Sequence, residues 1–100
     1  MHIISLKMLR DFWRKHPEAE LPLRNWHTVA EHMRFLDFSD LRQCFGSADY
    51  VAPYTVFDVA GNNFRLITVV RYRDGKIFVR AVMRHRDYDT WCRQYRKGKV

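Results

Sequence analysis

Phe64-Arg65-Leu66-Ile67-Thr68-Val69-Val70-Arg71-Tyr72-Arg73-Asp74-Gly75-Lys76-Ile77-Phe78-Val79-Arg80-Ala81-Val82-Met83-Arg84 reads as two alternating runs about a turn. Asp74-Gly75 is a strong signal for a two-residue hairpin loop, whose central positions need the positive φ that Gly and Asp tolerate. Such a loop sets Arg73 opposite Lys76, Val69 opposite Arg80, and Arg65 opposite Arg84. One face then carries Phe64, Leu66, Thr68, Val70 and Tyr72 with Ile77, Val79, Ala81 and Met83. It is apolar and must be covered. The other face carries Arg65, Ile67, Val69, Arg71 and Arg73 with Lys76, Phe78, Arg80, Val82 and Arg84. A slip of one residue would bury a row of charges, so the alternation favours this register.

Working outward, Tyr54 to Val59 continues the period of two, joined to the hairpin through Ala60-Gly61-Asn62-Asn63. Thr55, Phe57 and Val59 fall on the covered face, and Tyr54, Val56 and Asp58 on the basic one, with Asp58 opposite Arg65. The first half has a period of 3.6 instead. Leu6, Leu9, Phe12 and Trp13 mark a helix with Ser5 as its N-cap, and Pro17 stops it. Pro22 suits the first turn of a second helix with the stripe Leu23, Trp26, Ala30, Met33. Ser39 is a cap for a short turn carrying Leu41 and Phe45, ended by Gly46. His2 to Ser5 reads as a short strand. After Met83 the helical period returns, with Tyr88, Trp91 and Tyr95 on one side and Arg93, Arg96 and Lys97 on the other. The expectation is one α+β domain over residues 1–100: helices on one face of a small antiparallel sheet, the other face cationic and open, and a short C-terminal helix.

Charge is unevenly placed. Residues 1–64 hold seven basic and eight acidic residues, whereas residues 65–100 hold eleven basic and three acidic, so the whole net charge of +7 comes from the last third. A polyanion is the partner such a footprint fits, nucleic acid ahead of membrane, although a solubilising charged face would look similar. Arginines interleaved with Tyr54, Ile67, Val69, Phe78 and Val82 on a sheet suit RNA, by phosphate pairing and base stacking. No apolar run is long enough for a membrane span, the opening residues lack a secretory pattern, and two cysteines make no disulfide framework. A cytoplasmic protein with reduced Cys44 and Cys92 is expected. His27 and His32 straddle a helix face and no H-E-x-x-H or paired-cysteine motif occurs, so neither a metal nor a cofactor is expected.

Val56-Phe57-Asp58-Val59-Ala60-Gly61-Asn62-Asn63-Phe64-Arg65-Leu66 resembles the HigB-family segment V-F-N-[IV]-G-G-N-x-[YF]-R-L. Arg84-His85-Arg86-Asp87-Tyr88-Asp89 resembles that family's T-H-x-x-Y-D. Ile3-Ile4-Ser5, Leu9 to Trp13 with His16-Pro17, and Ser47-Ala48-Asp49-Tyr50 are similar to its first half. Asp58 stands where the family has Asn, Ala60 where it has Gly, and Arg84 where it has Thr. The resemblance implies a RelE-like fold and a toxin that cleaves mRNA on the ribosome. It also implies a HigA-type helix-turn-helix antitoxin, with operator DNA reached only through that antitoxin.

Metal-free RNA cleavage needs a base for the 2′-hydroxyl, cations for the phosphorane, and an acid for the leaving 5′-oxygen. His85 is the best proton-transfer candidate near the basic face, since imidazole ordinarily titrates near neutrality, and its place in the family motif supports this. A capping or packing histidine is the alternative. Arg65 and Arg80 are the candidates for phosphate stabilisation, with Arg65 facing Arg84 near the end that leads to His85. On an open face of like charges, losing Arg65 should barely change stability. Tyr88 shares the helical side of His85 and suits base stacking or a proton relay, or else simple packing with Trp91 and Tyr95. Asp89 suits the helix N-terminus more than a base. Arg71, Arg73, Lys76, Phe78, Arg84, Tyr54 and Asn62 are expected to contact RNA, Asn62 while also serving its turn. An endoribonuclease, a non-catalytic basic RNA-binding module and a cationic protein–protein module all remain open at this level.

Overall fold

The structure, a computed structural model, describes residues 1–100. In chain order it contains β1 (His2–Ile4), α1 (Leu6–Lys15), a 3-10 turn (Pro17–Ala19), α2 (Glu20–His32) and α3 (Phe38–Cys44). There follow β2 (Asp49–Val51), β3 (Tyr54–Val59), β4 (Phe64–Arg71), β5 (Lys76–Arg84) and α4 (His85–Arg96). The five strands form one sheet in the order β1-β5-β4-β3-β2. Three of its pairings are antiparallel, and β1 runs parallel to β5. The α+β architecture is as expected. The short strand expected at His2 to Ser5 is β1; its parallel pairing with β5 and the strand β2 are additions, for three residues leave no period to read.

Each N-terminal helix turns its apolar stripe to the sheet: Leu9 and Trp13 of α1, Leu23, Trp26 and Ala30 of α2, and Leu41 of α3 are buried. They meet Phe57, Val59, Phe64, Leu66, Ile77 and Val79 in one core. Thr68, fully buried among them, donates its hydroxyl to the Thr55 carbonyl at 2.7 Å, which removes the cost of a buried polar group. Met33 lies outside this stripe, 40% exposed beyond the end of α2. Two caps differ from expectation. Ser5 occupies its cap position without a side-chain hydrogen bond, and Asp37 rather than Ser39 caps α3, accepting from the Asp40 N–H at 2.8 Å.

The hairpin register is the main correction. Beside the turn, Arg71 pairs with Lys76, Val70 with Ile77 and Thr68 with Val79, so four residues connect the strands rather than two. Arg34 reaches in to donate to the Arg73 carbonyl at 3.1 Å and lies over Gly75, where a β-carbon would collide with it. Farther on, a bulge leaves Arg80 unpaired, and Ile67 meets Ala81, Leu66 meets Val82, Arg65 meets Met83 and Phe64 meets Arg84. The extra residue flips the far half of β5. Ala81 and Met83 therefore share the face of Arg65, while Val82 packs against the main core and Arg84 turns to the helical side.

The second sheet face is not open either. Helix α4 lies across it, with Tyr54 against Trp91 at 5.3 Å and Tyr95 at 6.3 Å, and with Tyr88, Trp91 and Tyr95 stacked in series at 5.6 Å each. The Tyr95 hydroxyl donates to the Ala52 carbonyl at 2.6 Å. Val56 and Ile67, cross-strand partners, are 1% and 0% exposed beneath this layer. Only the part near the β4–β5 turn stays accessible, where Arg71 and Arg80 are exposed and Lys76 and Phe78 half-buried. If this second core is as tight as the first, Ile67→Ala should lower stability by about 2–5 kcal/mol in chemical denaturation, against nearly nothing for a residue on an open face.

Candidate functional site

Arg65 comes first because the other groups are arranged around it. It is 7% exposed. Its Nε faces Asp58 Oδ1 at 3.1 Å, Nη1 donates to the carbonyls of Asn62 and Phe64 at 3.2 Å each, and Nη2 donates to Asn62 Oδ1 at 2.6 Å. The ring of Tyr88 lies 5.5 Å from the guanidinium carbon. Four of the five N–H donors of a guanidinium are thus engaged inside the protein. The expected pairing with Asp58 is present. The expected open setting opposite Arg84 is not, because the bulge puts Met83 there and α4 covers the position.

The turn before β4 holds this arrangement. Ala60 and Gly61 both have positive φ, 55° and 63°, as a tight hairpin turn with its twist requires. Alanine tolerates that region poorly, at a cost of about 1–2 kcal/mol. The turn presents the Asn62 side chain to Arg65, and the Asn63 carbonyl accepts the backbone N–H of His85 at 2.9 Å. One four-residue loop therefore fixes both the buried arginine and the first residue of α4.

Beside that loop lies an open cleft of about 540 Å³ lined by Glu18, Asn62, Asn63, Phe64, Arg84, His85 and Arg86. His85 is exposed at the N-terminus of α4, where the helix dipole favours anions. Arg84 reaches the cleft because the bulge turned it to the helical side, and its Nε pairs with Asp87 at 3.2 Å. Glu18, from the turn between α1 and α2, brings a carboxylate into the same space and was not foreseen. It lies 67 positions upstream of His85, in a segment whose only signal was a helix-stopping proline.

On the other side of Arg65 is a second hollow, of about 360 Å³, lined by Arg42, Ser47, Ala48, Asp49, Val56, Asp58, Arg65 and Tyr88. Tyr88 is half-buried and braced by Arg65 and Trp91. Burial pushes its phenol above the ordinary 10.0, the neighbouring Cys92 and Asp49 add to the rise, and Arg65 opposes it. At neutral pH Tyr88 is therefore an un-ionised donor. Cys92 itself, like Cys44, is a free thiol.

The structure brings His85, Arg84, Asn62, Arg65 and Tyr88 together at one end of the sheet and leaves the other candidates apart. Lys76 and Arg84 occupy opposite ends of β5, about 26 Å apart for a strand of that length. Arg71 pairs with Asp74 at 3.3 Å, and Arg73 lies exposed in the turn beside it. Arg80 is the bulge residue and stacks on Phe78 at 5.8 Å, rather than opposing Val69. Tyr54 is occupied by the α4 aromatics.

Residues 19–91 match the family model HigB_toxin, described as the RelE-like toxic component of a toxin–antitoxin system. The chain belongs to the HigB toxin family. It is 32% identical over 102 residues to mRNA interferase HigB of Escherichia coli O6:H1, with 99% of each chain covered. The mRNA interferase toxin HigB of Escherichia coli K12 and mRNA interferase HigB of Shigella flexneri are each 32% identical over 103 residues, again with 99% of each chain covered. A HigB toxin has an antitoxin partner by the nature of the system, and no helix of this chain is long and apolar enough to cross a membrane.

In this HigB-family chain the buried arginine and two partly buried phenols each set an expected outcome. Arg65→Ala should cost on the order of 3 kcal/mol, because it strands Asp58 and the Asn62 acceptors; urea unfolding checks this, and an unchanged midpoint would show the network to be dispensable. Burial also raises the Tyr72 phenol, so in an alkaline titration followed by phenolate absorbance Tyr72 and Tyr88 should ionise above the ordinary 10.0 of a tyrosine. The fold favours the neutral phenol. This contribution to stability is accordingly complete below pH of about 10 and lost above it, a loss that Tyr88→Phe should reduce.

Proposed function

We propose that this chain is an mRNA interferase, an endoribonuclease that cuts mRNA on the ribosome and so arrests translation in the cytoplasm. A HigA-type helix-turn-helix antitoxin restrains it, and any contact with operator DNA runs through that antitoxin. The observation that carries the reading is the cleft at the N-terminus of α4, where an exposed imidazole, two arginines, two asparagines and a carboxylate surround a space open to solvent. The names of relatives covered over 99% of their length agree with it.

The chemistry is attack of a ribose 2′-hydroxyl on the adjacent phosphate, with departure of the 5′-oxygen and no metal. Arg84, Arg86 and the positive end of α4 hold the phosphate and the charge that builds on it. His85 and Glu18 are the two groups in the cleft able to move protons, one toward the leaving oxygen and the other from the attacking hydroxyl. Arg65, its charge balanced by Asp58, acts as the positioner of Asn62 and Tyr88, since most of its donors are already bound. Tyr88, un-ionised, donates a hydrogen bond. Arg80, roughly 13 Å along β5 from Arg84, tracks the RNA backbone together with Arg71, Arg73 and Lys76 rather than the reacting phosphate.

A non-catalytic RNA-binding module would have its histidine packed in the core, and here it is exposed. Added to translating ribosomes, the protein should cut mRNA within codons and cut naked RNA poorly. His85→Ala should slow cutting by about a hundredfold or more with little change in stability. Wild-type rates in that variant would remove His85 from the scheme.

A further inference from the structure

The second hollow has a chemistry that phosphate binding does not explain. Its floor is Val56, 1% exposed. Asp49 is the cross-strand partner of Val56, and Asp58 is two residues on from Val56 along β3, so both carboxylates lie on the α4 side of the sheet. Asp58 is committed to Arg65. Asp49 and Arg42, both exposed, form no ion pair with any residue and line the hollow together with Ser47. An uncommitted carboxylate repels the RNA backbone, yet this one stands beside the cleft where a phosphate is expected. The two hollows share a wall: Arg65 lines one, Asn62 lines the other, and they are joined at 2.6 Å.

We propose that this hollow is a base-recognition pocket that takes a guanine of the RNA whose phosphate sits in the cleft at His85. The inference rests on the RNA-cleaving reading and adds to it the base that is read. Guanine alone among the four bases offers two adjacent donors, N1–H and the N2 amine, to one carboxylate. Adenine and cytosine offer one amine each, and uracil a single N–H. Asp49 accepts that pair of donors, and Arg42 supplies a donor to O6 or N7 in the manner usual for arginine and guanine. The charge pattern fits as well: the base enters where a carboxylate is free, and the phosphate stays where arginines are. Arg42 is the outermost lining cation, and its planar guanidinium is also suited to stacking on the base.

The test is sequencing of the RNA ends produced on translating ribosomes by the full-length protein and by Asp49→Asn, read as ratios among bases so that overall activity drops out. The wild type should favour guanine over uracil at one fixed position beside the cut by on the order of tenfold to a hundredfold, the value of one good two-bond contact. Asp49→Asn should reduce that ratio below about threefold, because an amide offers a donor where guanine needs an acceptor. Arg42→Gln should reduce it as well, and serves alone if Asp49→Asn does not fold. A guanine preference unchanged in both variants would overturn the proposal, as would a wild-type preference for another base at that position or no preference at any position. If the wild type cuts nothing on ribosomes, the cleavage reading itself fails and this inference falls with it.

Discussion

A guanidinium taken out of water is costly unless nearly all of its donors find partners, and Arg65 meets that condition with Asp58, Asn62 and the Phe64 carbonyl. The consequences extend well beyond one residue. The bonds to Asn62 fix the β3–β4 turn, and the same turn receives the backbone N–H of His85, so the first residue of α4 is placed by the group that anchors the arginine. The ring of Tyr88 then lies against the guanidinium from the other side. A single buried charge connects a strand pair, a turn and a helix, and it divides the space around itself into a cationic cleft and a hollow with free carboxylate.

The bulge at Arg80 is the second constraint. Without it β5 would send Arg84 to the same face as Arg65, and Glu18 and His85 would keep only Arg86 in the cleft. With it Arg84 crosses to the helical side and enters the cleft. This detail was beyond reach from the residues alone, because Ala81-Val82-Met83 is apolar at every position. An alternating pattern locates a register only where polar and apolar residues differ, and past Arg80 they do not. Nearer the turn the expected faces were correct, since Val70, Ile77, Thr68 and Val79 alternate cleanly with Arg71, Lys76, Val69 and Phe78. The four-residue loop is wider than Asp74-Gly75 alone would adopt, and Arg34, from a distant segment, braces it at Arg73 and Gly75.

The second face of the sheet shows how composition misleads about exposure. Arginines alternating with aromatics suggested a surface open to RNA, yet Val56, Ile67 and Arg65 are buried under α4 and Tyr54 serves that packing. The Tyr88, Trp91, Tyr95 stripe of α4 was legible from its spacing; what it would pack against was not, because the main core already accounted for the helices and the arginine-bearing face looked unfavourable. Of the site, the motif histidine and its flanking arginine were readable, being contiguous in sequence. Glu18, Arg42 and Asp49 come to the two hollows from a turn, a short helix and a three-residue strand, none of which carries a period, although Asp49 lies in a stretch that resembles the family. Arg80, Arg71, Arg73 and Lys76 were readable as cations but lie along the strand, away from the cleft.

The integrity of the site therefore turns on how firmly α4 is held. No residue of α4 is fully buried, so burial alone gives it less hold than α1 or α2, whose stripes reach zero exposure. Its attachment is concentrated at the ends and along one side: His85 N–H to Asn63 at the start, the Tyr95 hydroxyl to Ala52 near the finish, and the aromatic series on Tyr54 and Arg65 between them. Elements held this way open at lower free energy than the core they rest on. Since His85, Arg86 and Tyr88 all belong to α4 while Asn62, Arg65 and Glu18 do not, undocking the helix would dismantle the cleft without unfolding the sheet. Docking of α4 and assembly of the site are one event, and the buried arginine beneath Tyr88 is the contact through which the two are coupled.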